Sequence, residues 1–424
     1  MPDSSPRAVL HGTVLLPPDK SVAHRAALFA AIGEGTSTVE GFPDAADPRS
    51  TLACVRALGV RVTEAERGIL RVEGVGARGL RAAAADLDCG NSGTTMRLLA
   101  GLLAGQTFAS VLTGDASLSS RPMRRVADPL GAMGARIETT DGHAPLRIDG
   151  APLGAITYRL PVASAQVKSC VLLAGLLADG VTTVVEPIAT RDHTERMLGL
   201  AAVVDGAERR ITVEGGHRVA AQTWTVPRDF SAAAFFLVAG TIAHEGEIVL
   251  PGVGLNPTRT ALLGVLREMG ADITATNART VGGEPIADLT VRPARLGGVR
   301  IGGATVANLI DEVPILALAA ACADGVTEIR DAAELRVKET DRIAAVAANL
   351  RTLGADVTDH PDGLTIRGGR PLTGAAQVTH GDHRIAMTAG VAALVARGPV
   401  SIDDPGCAAV SFPGFWDALA GIRG

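Results

Sequence analysis

One pattern of apolar and polar positions occurs six times along this chain of 424 residues. Each copy begins with a small polar residue, continues as an alanine-rich apolar stretch, passes a glycine and ends in residues rich in Thr and Val. The apolar stretch predicts a helix and the Thr/Val-rich end predicts a strand. The copies start about 70 residues apart and occupy residues 21–40, 91–114, 164–186, 229–251, 311–331 and 382–403.

A second pattern lies between the copies, where an amphipathic helix is predicted to end at a glycine and lead into a strand. It occurs as VRALGVRV, LGAMGARI, LREMGADI and LRTLGADV. A glycine at that point suits the left-handed conformation that often ends a helix, and the alternation that follows is typical of a strand. Together the two patterns predict six mixed modules of the βαβαββ type, so the expected fold class is α/β.

The chain is longer than the size at which a single hydrophobic core keeps growing, so two domains are expected. Three modules fall in residues 20–227, which we predict to form an inserted domain. The other three fall in residues 228–424, and the strand predicted at residues 8–16 is left over to complete them. Residues 1–19 and 228–424 are therefore predicted to form an outer, discontinuous domain, with a hinge where the chain crosses between the two.

The start of each repeated helix carries a residue that can cap it. The predicted caps are Ser21, Asn91, Ser164, Asp229 or Ser231, Asp311 and Asp382. Free N–H groups and the helix dipole give a helix N-terminus about half a positive charge. Helices that converge on a cleft between the domains would therefore make an anion-binding pocket. The plain alternative is that these residues only end helices.

Cations and hydroxyl groups cluster at the same helix starts in residues 20–227. Ser21 and Arg25 are spaced one helical turn apart behind Lys20, and a hydroxyl with two cations suits a phosphate or a carboxylate. The segment GNSGTTMR has glycines that let an anion approach the backbone closely, as phosphate loops do. Arg121, Arg191 and the pair Ser164 and Gln166 add further cations and polar groups.

The outer domain has its own cluster, which combines cations with carboxylates. Asp311 heads an apolar helix, and the segment LRVKETDRI is predicted to set Lys338 and Arg342 on one helical face with Glu339 beside them. A surface helix with salt bridges has the same appearance. The segment GDHRIAM places a further arginine at a helix start.

The composition narrows the class of protein. A net charge of −5 and an aromatic content of 3% argue against binding nucleic acid by charge or by base stacking. No apolar stretch is long enough to predict a membrane span, and five scattered cysteines without a CxxC pair predict reduced thiols in the cytoplasm. Lysine occurs at three positions, Lys20, Lys168 and Lys338, and the other basic residues are arginine. Either these three sites need a compact ammonium group, or lysine occurs there by chance.

The motifs, in their order along the chain, resemble those of the 3-phosphoshikimate 1-carboxyvinyltransferase (EPSP synthase) family. The segments that carry the resemblance are DKSVAHR, GNSGTTMR, RPM, SAQ, RDHTERM, LRVKETDRI and GDHRIAM, and it extends from Leu16 to Trp416. It implies the two-domain enolpyruvyl transferase fold, an inverse α/β barrel-like arrangement with three modules in each domain. Pro18 and Arg228 stand where glycine is usual in that family.

The resemblance also implies a reaction and a set of site residues. The reaction joins phosphoenolpyruvate to the 5-hydroxyl of 3-phosphoshikimate and releases phosphate, with no cofactor and no metal, in a cytoplasmic monomer. The residues that would bind phosphoshikimate are Ser21, Arg25, Ser164, Gln166, Arg191, Asp311 and Lys338. Those that would bind phosphoenolpyruvate are Lys20, Asn91, Gly93, Arg121, Gln166, Arg342, His383 and Arg384. Asp311, Glu339, Lys20 and Lys338 would be catalytic.

Four other interpretations remain open at this point. A UDP-N-acetylglucosamine enolpyruvyl transferase has the same fold, although Ser21 follows the first lysine here and residues 118–123 contain no cysteine. Six modules can also form a non-enzymatic clamp around DNA, which the negative charge opposes. A GxGxxG sequence at residues 74–79 suggests a dinucleotide site, but we interpret it as a hairpin loop. His380, Asp382 and His383 have the chemistry of metal ligands.

Overall fold

The computed structural model describes residues 8–206 and 208–423. Its strands are β1 (Val9–Thr13), β2 (Glu34–Glu40), β3 (Arg61–Glu66), β4 (Ile69–Val75), β5 (Leu87–Asp88), β6 (Ala109–Thr113), β7 (Arg136–Thr140), β8 (His143–Asp149), β9 (Leu153–Gly154), β10 (Thr157–Arg159), β11 (Ala178–Asp179), β12 (Val181–Glu186), β13 (Ala202–Asp205), β14 (Glu208–Glu214), β15 (Thr223–Thr225), β16 (Glu245–Gly254), β17 (Asp272–Val281), β18 (Glu284–Arg292), β19 (Arg300–Ile301), β20 (Val326–Ile329), β21 (Asp356–His360), β22 (Gly363–Arg367), β23 (Ala376–Gln377) and β24 (Ser401–Ile402).

The helices follow the same numbering along the chain. The α-helices are α1 (Lys20–Ala31), α2 (Ala46–Ala57), α3 (Gly93–Ala104), α4 (Ala116–Ser119), α5 (Arg124–Ala132), α6 (Ala165–Gly175), α7 (His193–Leu198), α8 (Phe230–Ile242), α9 (Ala261–Glu268), α10 (Gly303–Leu309), α11 (Val313–Cys322), α12 (Arg342–Thr352), α13 (His383–Ala392) and α14 (Phe415–Gly421). The 3₁₀ helices within the described residues are Ile310–Glu312, Ala333–Val337 and Pro405–Val410.

The chain divides into two compact units. One, the outer domain, comprises Met1–Pro17, Pro227–Thr280 and Pro285–Gly424. The other, the inserted domain, comprises Pro18–Val226 together with Val281–Glu284, the tip of the β17–β18 hairpin. Each unit has its own hydrophobic core.

The described part of the inserted domain contains three four-stranded sheets with one topology. Their strand orders are β15-β2-β4-β3, β5-β6-β8-β7 and β10-β12-β14-β13. In each sheet one edge strand pairs in parallel with the strand that follows the buried helix. An antiparallel hairpin completes the sheet on the other side. This is the βαβαββ module that the repeats predict.

The outer domain has two complete modules and one shortened module. Its four-stranded sheets have the orders β1-β16-β18-β17 and β19-β20-β22-β21, and β1 pairs in parallel with β16, as expected of the leftover strand. In the described residues of the last module, β23 and β24 form a two-stranded sheet, and the Pro405–Val410 3₁₀ helix and α14 replace the hairpin. The prediction of six full modules is wrong there, because prolines and glycines after β24 break the alternation that a hairpin needs.

The four glycines of the second repeated pattern all end helices in the left-handed region. Gly59, Gly134, Gly270 and Gly354 have φ angles between 86° and 108°. The pattern therefore predicts both the helix end and the conformation correctly. Pro18 and Arg228, which replace glycine in the resemblance, do not have positive φ. Neither position therefore needs glycine for its own backbone conformation.

Close backbone contacts explain two other glycine-rich features. A Cβ on Gly101 would lie 2.2 Å from the carbonyl oxygen of Cys170, so α3 and α6 cross in direct backbone contact. Gly74 lies against the end of α1, where a Cβ would meet the oxygen of Gly33 at 2.3 Å. The interpretation of residues 74–79 as a hairpin loop is wrong, because β4 ends at Val75 and the chain then leads to β5 of another sheet.

The run Gly303–Cys322 is long and apolar enough to cross a membrane by length and composition alone. It consists of α10, the 3₁₀ turn Ile310–Glu312 and α11, and 67% of its apolar window is buried inside the protein. Packing in the core of the outer domain therefore accounts for its apolar character.

Candidate active site

The three repeated helices of the inserted domain, α1, α3 and α6, each begin with a side-chain cap, and two of the predicted caps are wrong. Asp19 caps α1 by accepting from Val22 N, and Ser92 caps α3 by accepting from Thr95 N. They lie two residues before Ser21 and one residue after Asn91, because the helices begin at Lys20 and Gly93 and a cap must precede the first turn. Ser164 caps α6 as predicted.

Lys20, the first residue of α1, contacts a carboxylate that the sequence analysis did not single out. Its Nζ lies 2.9 Å from Oδ2 of Asp47 in α2, and the two side chains are 19% and 9% exposed. The ion pair orients the lysine at the start of the helix. Nothing in the local pattern around Asp47 marks it, because the contact depends on the packing of α1 against α2.

Arg25 lies one turn further along α1, and other parts of the inserted domain hold its guanidinium. Nε donates to Thr194 Oγ1 at 2.7 Å, Nη1 to the carbonyl of Ser21 at 2.9 Å and Nη2 to Ser169 Oγ at 2.9 Å. Burial lowers the pKa of Arg25 to about 10, against the opposing effect of Glu195. The side chain therefore stays charged at neutral pH and has a fixed orientation.

The start of α3 brings together Asn91, Gly93 and Arg121, three predicted site residues. Arg121 Nη2 donates to Asn91 Oδ1 at 2.6 Å. A Cβ on Gly93 would lie 3.1 Å from Nη1 of Arg97 and 3.5 Å from Nη1 of Arg121. Two guanidinium groups thus approach the first turn of a helix over a glycine, which is suitable geometry for an anion. Arg97 was not among the predicted residues, although GNSGTTMR contains it.

Gln166 links the starts of α3 and α6. Its Nε2 donates to Thr94 Oγ1 at 2.9 Å and its Oε1 accepts from Arg97 Nη1. Ser164, the cap of α6, lies two residues before it. The predicted residues of these two helices therefore belong to one polar surface, which the close α3–α6 crossing creates.

A buried ionic network supports the segment that carries Arg191. Lys168 in α6 is fully buried and its Nζ lies 2.9 Å from Glu186 and 2.8 Å from Glu195. Glu186 also accepts from the backbone N of Thr190 at 3.2 Å. Arg191 itself is half-buried in the loop that leads into α7. Lys168 therefore anchors a predicted binding residue without being part of the predicted site.

In the outer domain, Asp311 lies at the centre of a group of charged side chains. Its Oδ1 is 3.3 Å from Arg342 Nη1 and 3.6 Å from Lys338 Nζ. Arg342 Nη2 is 2.7 Å from Oε2 of Glu339, and Arg384 Nη1 donates to the carbonyl oxygen of Asp311 at 3.0 Å. The structure thus brings together the carboxylates and cations that the resemblance implies for this domain.

The local structure around these residues differs from the prediction in two places. Asp311 lies in a 3₁₀ turn, and the apolar helix α11 begins only at Val313, so Asp311 is not its cap. Lys338 and Arg342 do not share a helical face, because Asp341 caps α12 and that helix begins at Arg342. Arg342 is 1% exposed. The alternative interpretation of this segment as a surface helix with salt bridges therefore does not account for Arg342.

Asp382 is the cap of α13 and a fully buried carboxylate partner of Arg342. Its Oδ2 accepts from Arg342 Nε at 2.7 Å, and its Oδ1 accepts from the backbone N of Arg384 at 2.8 Å. His383, also buried, is the first residue of α13. Burial lowers the pKa of Arg342, but Asp382, Glu339 and Asp311 outweigh it and hold that pKa above its ordinary value.

The metal-site alternative finds no support in the described residues. Among residues 8–206 and 208–423 no three His, Cys, Asp or Glu side chains come close enough together to hold a metal ion. The carboxylate of Asp382 is occupied by Arg342 and by the backbone of Arg384.

Comparison with known proteins places this geometry in a class. The family profile of EPSP synthase (3-phosphoshikimate 1-carboxyvinyltransferase) matches residues 5–419. A protein of Salinibacter ruber named 3-phosphoshikimate 1-carboxyvinyltransferase is 60% identical over 98% of this chain and 97% of its own length. One of Synechococcus sp. with the same name is 53% identical over 98% of this chain and 95% of its own.

Solved structures agree in fold. The structure of EPSP synthase from Acinetobacter baumannii superposes with a TM-score of 0.86 at 45% identity and covers 99% of this chain and 98% of its own. The enolpyruvyl transferase NikO from Streptomyces tendae has a TM-score of 0.77 at 19% identity, covering 99% of this chain and 96% of its own, so it shares the fold alone. The protein therefore has the two-domain enolpyruvyl transferase fold. Within that class, the chain belongs to the EPSP synthase family.

Proposed function

We propose that this protein transfers the enolpyruvyl group of phosphoenolpyruvate to the 5-hydroxyl of 3-phosphoshikimate and releases inorganic phosphate. The observation that carries the proposal is the group around Asp311, in which one carboxylate contacts Lys338 and Arg342 while Glu339 contacts the same arginine. Acids placed beside fixed cations are what a reaction needs when it moves protons on anionic substrates. Membership of the EPSP synthase family supports the choice of substrates.

Each substrate carries a phosphate and a carboxylate, so binding requires several cations. We assign phosphoenolpyruvate to Lys20, Asn91, Gly93, Arg121, Gln166, Arg342, His383 and Arg384. We assign phosphoshikimate to Ser21, Arg25, Ser164, Gln166, Arg191, Asp311 and Lys338. Support comes from the first turn of α3, where the guanidinium groups of Arg97 and Arg121 lie over Gly93. Guanidinium groups and helix N-termini are suited to both anions.

The reaction requires three proton transfers, one onto carbon, one off the attacking hydroxyl and one off carbon. A proton is added to the methylene carbon of phosphoenolpyruvate while the 5-hydroxyl oxygen attacks the neighbouring carbon and loses its own proton. Phosphate then leaves the tetrahedral intermediate as a proton is removed from the new methyl group, which restores the double bond. We assign the hydroxyl proton to Asp311 and the methyl and methylene protons to Glu339, while Lys20 and Lys338 stabilise the developing charges.

The activity test mixes the purified protein with both substrates and measures phosphate release together with the carboxyvinyl ether product. Omitting either substrate is the control. We expect phosphate release only with both substrates, in a one-to-one ratio with the ether. Phosphate release from phosphoenolpyruvate alone, or no release at all, would contradict the proposal.

The roles of the acids are tested with Asp311→Asn and Glu339→Gln. Each is expected to lower kcat by about 10²- to 10⁴-fold, the usual contribution of a general acid or base. Circular dichroism and the thermal midpoint should stay close to those of the wild type. Turnover near the wild-type rate in either variant would remove that residue from the mechanism.

We also propose that the polar surfaces of the two domains are halves of one binding site, in a cytoplasmic monomer. Domain closure over the substrates would keep water from the reactive intermediate. Under this proposal, Arg121→Gln in one domain and Lys338→Met in the other each weaken the same ternary complex, measured by isothermal titration with both substrates. Gel filtration tests the monomer.

A further inference from the structure

A buried ionic group lies behind Arg384 in the outer domain, and none of its other members was assigned to the site above. Glu312 is fully buried, Arg259 is 3% exposed and Ser231 is 6% exposed. They come from three modules of this domain: Ser231 from α8 and Arg259 from the segment before α9, Glu312 from the 3₁₀ turn beside Asp311, and Arg384 from α13. The group therefore forms only when the three modules pack together.

Glu312 lies between two arginines and contacts both. Its Oε2 accepts from Arg259 Nη1 at 2.9 Å. Its Oε1 accepts from Ser231 Oγ at 2.6 Å and from Arg384 Nη1 at 3.4 Å. Ser231 Oγ in turn accepts from Arg384 Nη2 at 3.2 Å and from Arg259 Nη2.

These contacts determine the orientation of the Arg384 guanidinium. Nη1 is held by Glu312 and by the carbonyl oxygen of Asp311, and Nη2 is held by Ser231. Arg259 forms an ion pair with the other oxygen of Glu312. The one negative charge of Glu312 is therefore shared between two arginines, and Arg384 keeps part of its positive charge for a ligand. A planar guanidinium held on one side by fixed acceptors presents its remaining N–H groups in a defined direction.

We propose that Glu312 and Arg259 are positioning residues that hold Arg384 for its anionic ligand, phosphoenolpyruvate. This inference rests on the proposed function. Neither side chain touches the substrate, because both are buried behind Arg384. Their effect is therefore expected to be much larger on the substrate that Arg384 binds than on phosphoshikimate.

Glu312→Gln separates positioning from simple electrostatics, because the two predict opposite results. Removing a negative charge makes the surroundings of Arg384 more positive, so electrostatics alone would lower the KM for phosphoenolpyruvate. Loss of the carboxylate that orients Arg384 raises it instead. We expect the KM for phosphoenolpyruvate to rise about 10- to 100-fold, the effect of one lost hydrogen bond to a charged group. The KM for phosphoshikimate should change less than about twofold.

Arg259→Lys is the second variant and keeps the experiment decisive if Glu312→Gln does not fold. It retains the charge but loses the planar fork that contacts Glu312 and Ser231 together. We expect the KM for phosphoenolpyruvate to rise several-fold at unchanged KM for phosphoshikimate. Glu247→Gln is the matched control, since it removes the same charge from an exposed pair with Arg292 in the same domain. It should leave both constants unchanged.

The outcomes distinguish this inference from the proposed function. No phosphate release by the wild type with both substrates overturns the proposed function, and this inference with it. An active wild type with an unchanged or lowered KM for phosphoenolpyruvate in Glu312→Gln overturns the positioning role alone. Equal changes in both KM values also overturn it, because a purely structural role affects both substrates.

Discussion

Lys168→Met removes a buried ammonium group that lies between two buried carboxylates of the inserted domain. Its Nζ is 2.9 Å from Glu186 Oε1 and 2.8 Å from Glu195 Oε1, and none of the three side chains is more than 2% exposed. Methionine fills a similar volume, so the change leaves the packing of α6 largely intact. The two carboxylates lose their ammonium partner but keep their contacts with Arg209, which lies 3.3 Å from Glu186 and 3.2 Å from Glu195.

The size of the effect follows from these contacts. Removing one partner of a buried ion pair costs about 3–5 kcal/mol, because the other charge stays buried without compensation. Arg209 still contacts both carboxylates, so we expect the lower end, about 3 kcal/mol or roughly a hundredfold in the unfolding equilibrium. The loop with Arg191 should also loosen, because Lys168 Nζ donates to the carbonyl oxygen of Thr190 at 3.4 Å.

The chain offers a domain-specific probe for this measurement. It contains two tryptophans, and Trp224 is buried in the inserted domain, edge-to-face with Phe29 at a ring distance of 6.0 Å. In a Trp416→Phe background, the fluorescence of Trp224 reports denaturant unfolding of that domain alone. The reasoning is refuted if Lys168→Met loses no more stability than Arg218→Met, which breaks a pair with Glu34 that is 78% and 46% exposed and should cost less than about 1 kcal/mol.

Three further predictions concern other residues of the inserted domain. Burial holds the pKa of His24 well below its ordinary value of 6.5, so on acidification the unfolded chain takes up this proton before the folded one does. The free energy of unfolding therefore falls below pH 6.5 by up to about 1.4 kcal/mol per pH unit. His24→Gln should flatten this slope between pH 7 and 5, and equal slopes of the free energy of unfolding in variant and wild type would contradict the prediction. Asp47→Asn weakens the 2.9 Å ion pair with Lys20. It should lower kcat/KM for phosphoenolpyruvate roughly tenfold with little change in the thermal midpoint. An unchanged kcat/KM would show that this ion pair does not contribute to activity. Gly101→Ala places a Cβ 2.2 Å from the carbonyl oxygen of Cys170. It should lower the free energy of unfolding, measured with denaturant, by about 1–3 kcal/mol. A free energy equal to that of the wild type would show that α3 and α6 can move apart at no cost.

The three lysines illustrate how far composition alone leads. Their rarity raised the question whether each is required, and in the structure each contacts a carboxylate: Lys20 contacts Asp47, Lys168 contacts Glu186 and Glu195, and Lys338 contacts Asp311. The sequence alone left this open, because every partner lies at least 18 residues away along the chain. Only the packed domain pairs them.

The helix starts show where local rules succeed and where they fail. The repeats located the buried helices, and Ser164, Asp229 and Asp382 cap them as predicted. The same rules misplaced the starts of α1 and α3 by one or two residues. Neighbouring Ser, Asn and Asp side chains can all serve as caps, and only the hydrogen bond in the folded chain decides among them.

The sequence by itself determined the α/β class, the modular repeats, the glycine helix ends and the family, because these depend on local periodicity, backbone conformation and contiguous motifs. The tertiary structure decided which charges meet. Asp382 and Arg342 are 40 residues apart, and Glu312 and Arg259 are 53 apart, yet each pair is buried and hydrogen-bonded. A buried charge is stable only with a partner nearby, and no local pattern identifies a partner that comes from another module.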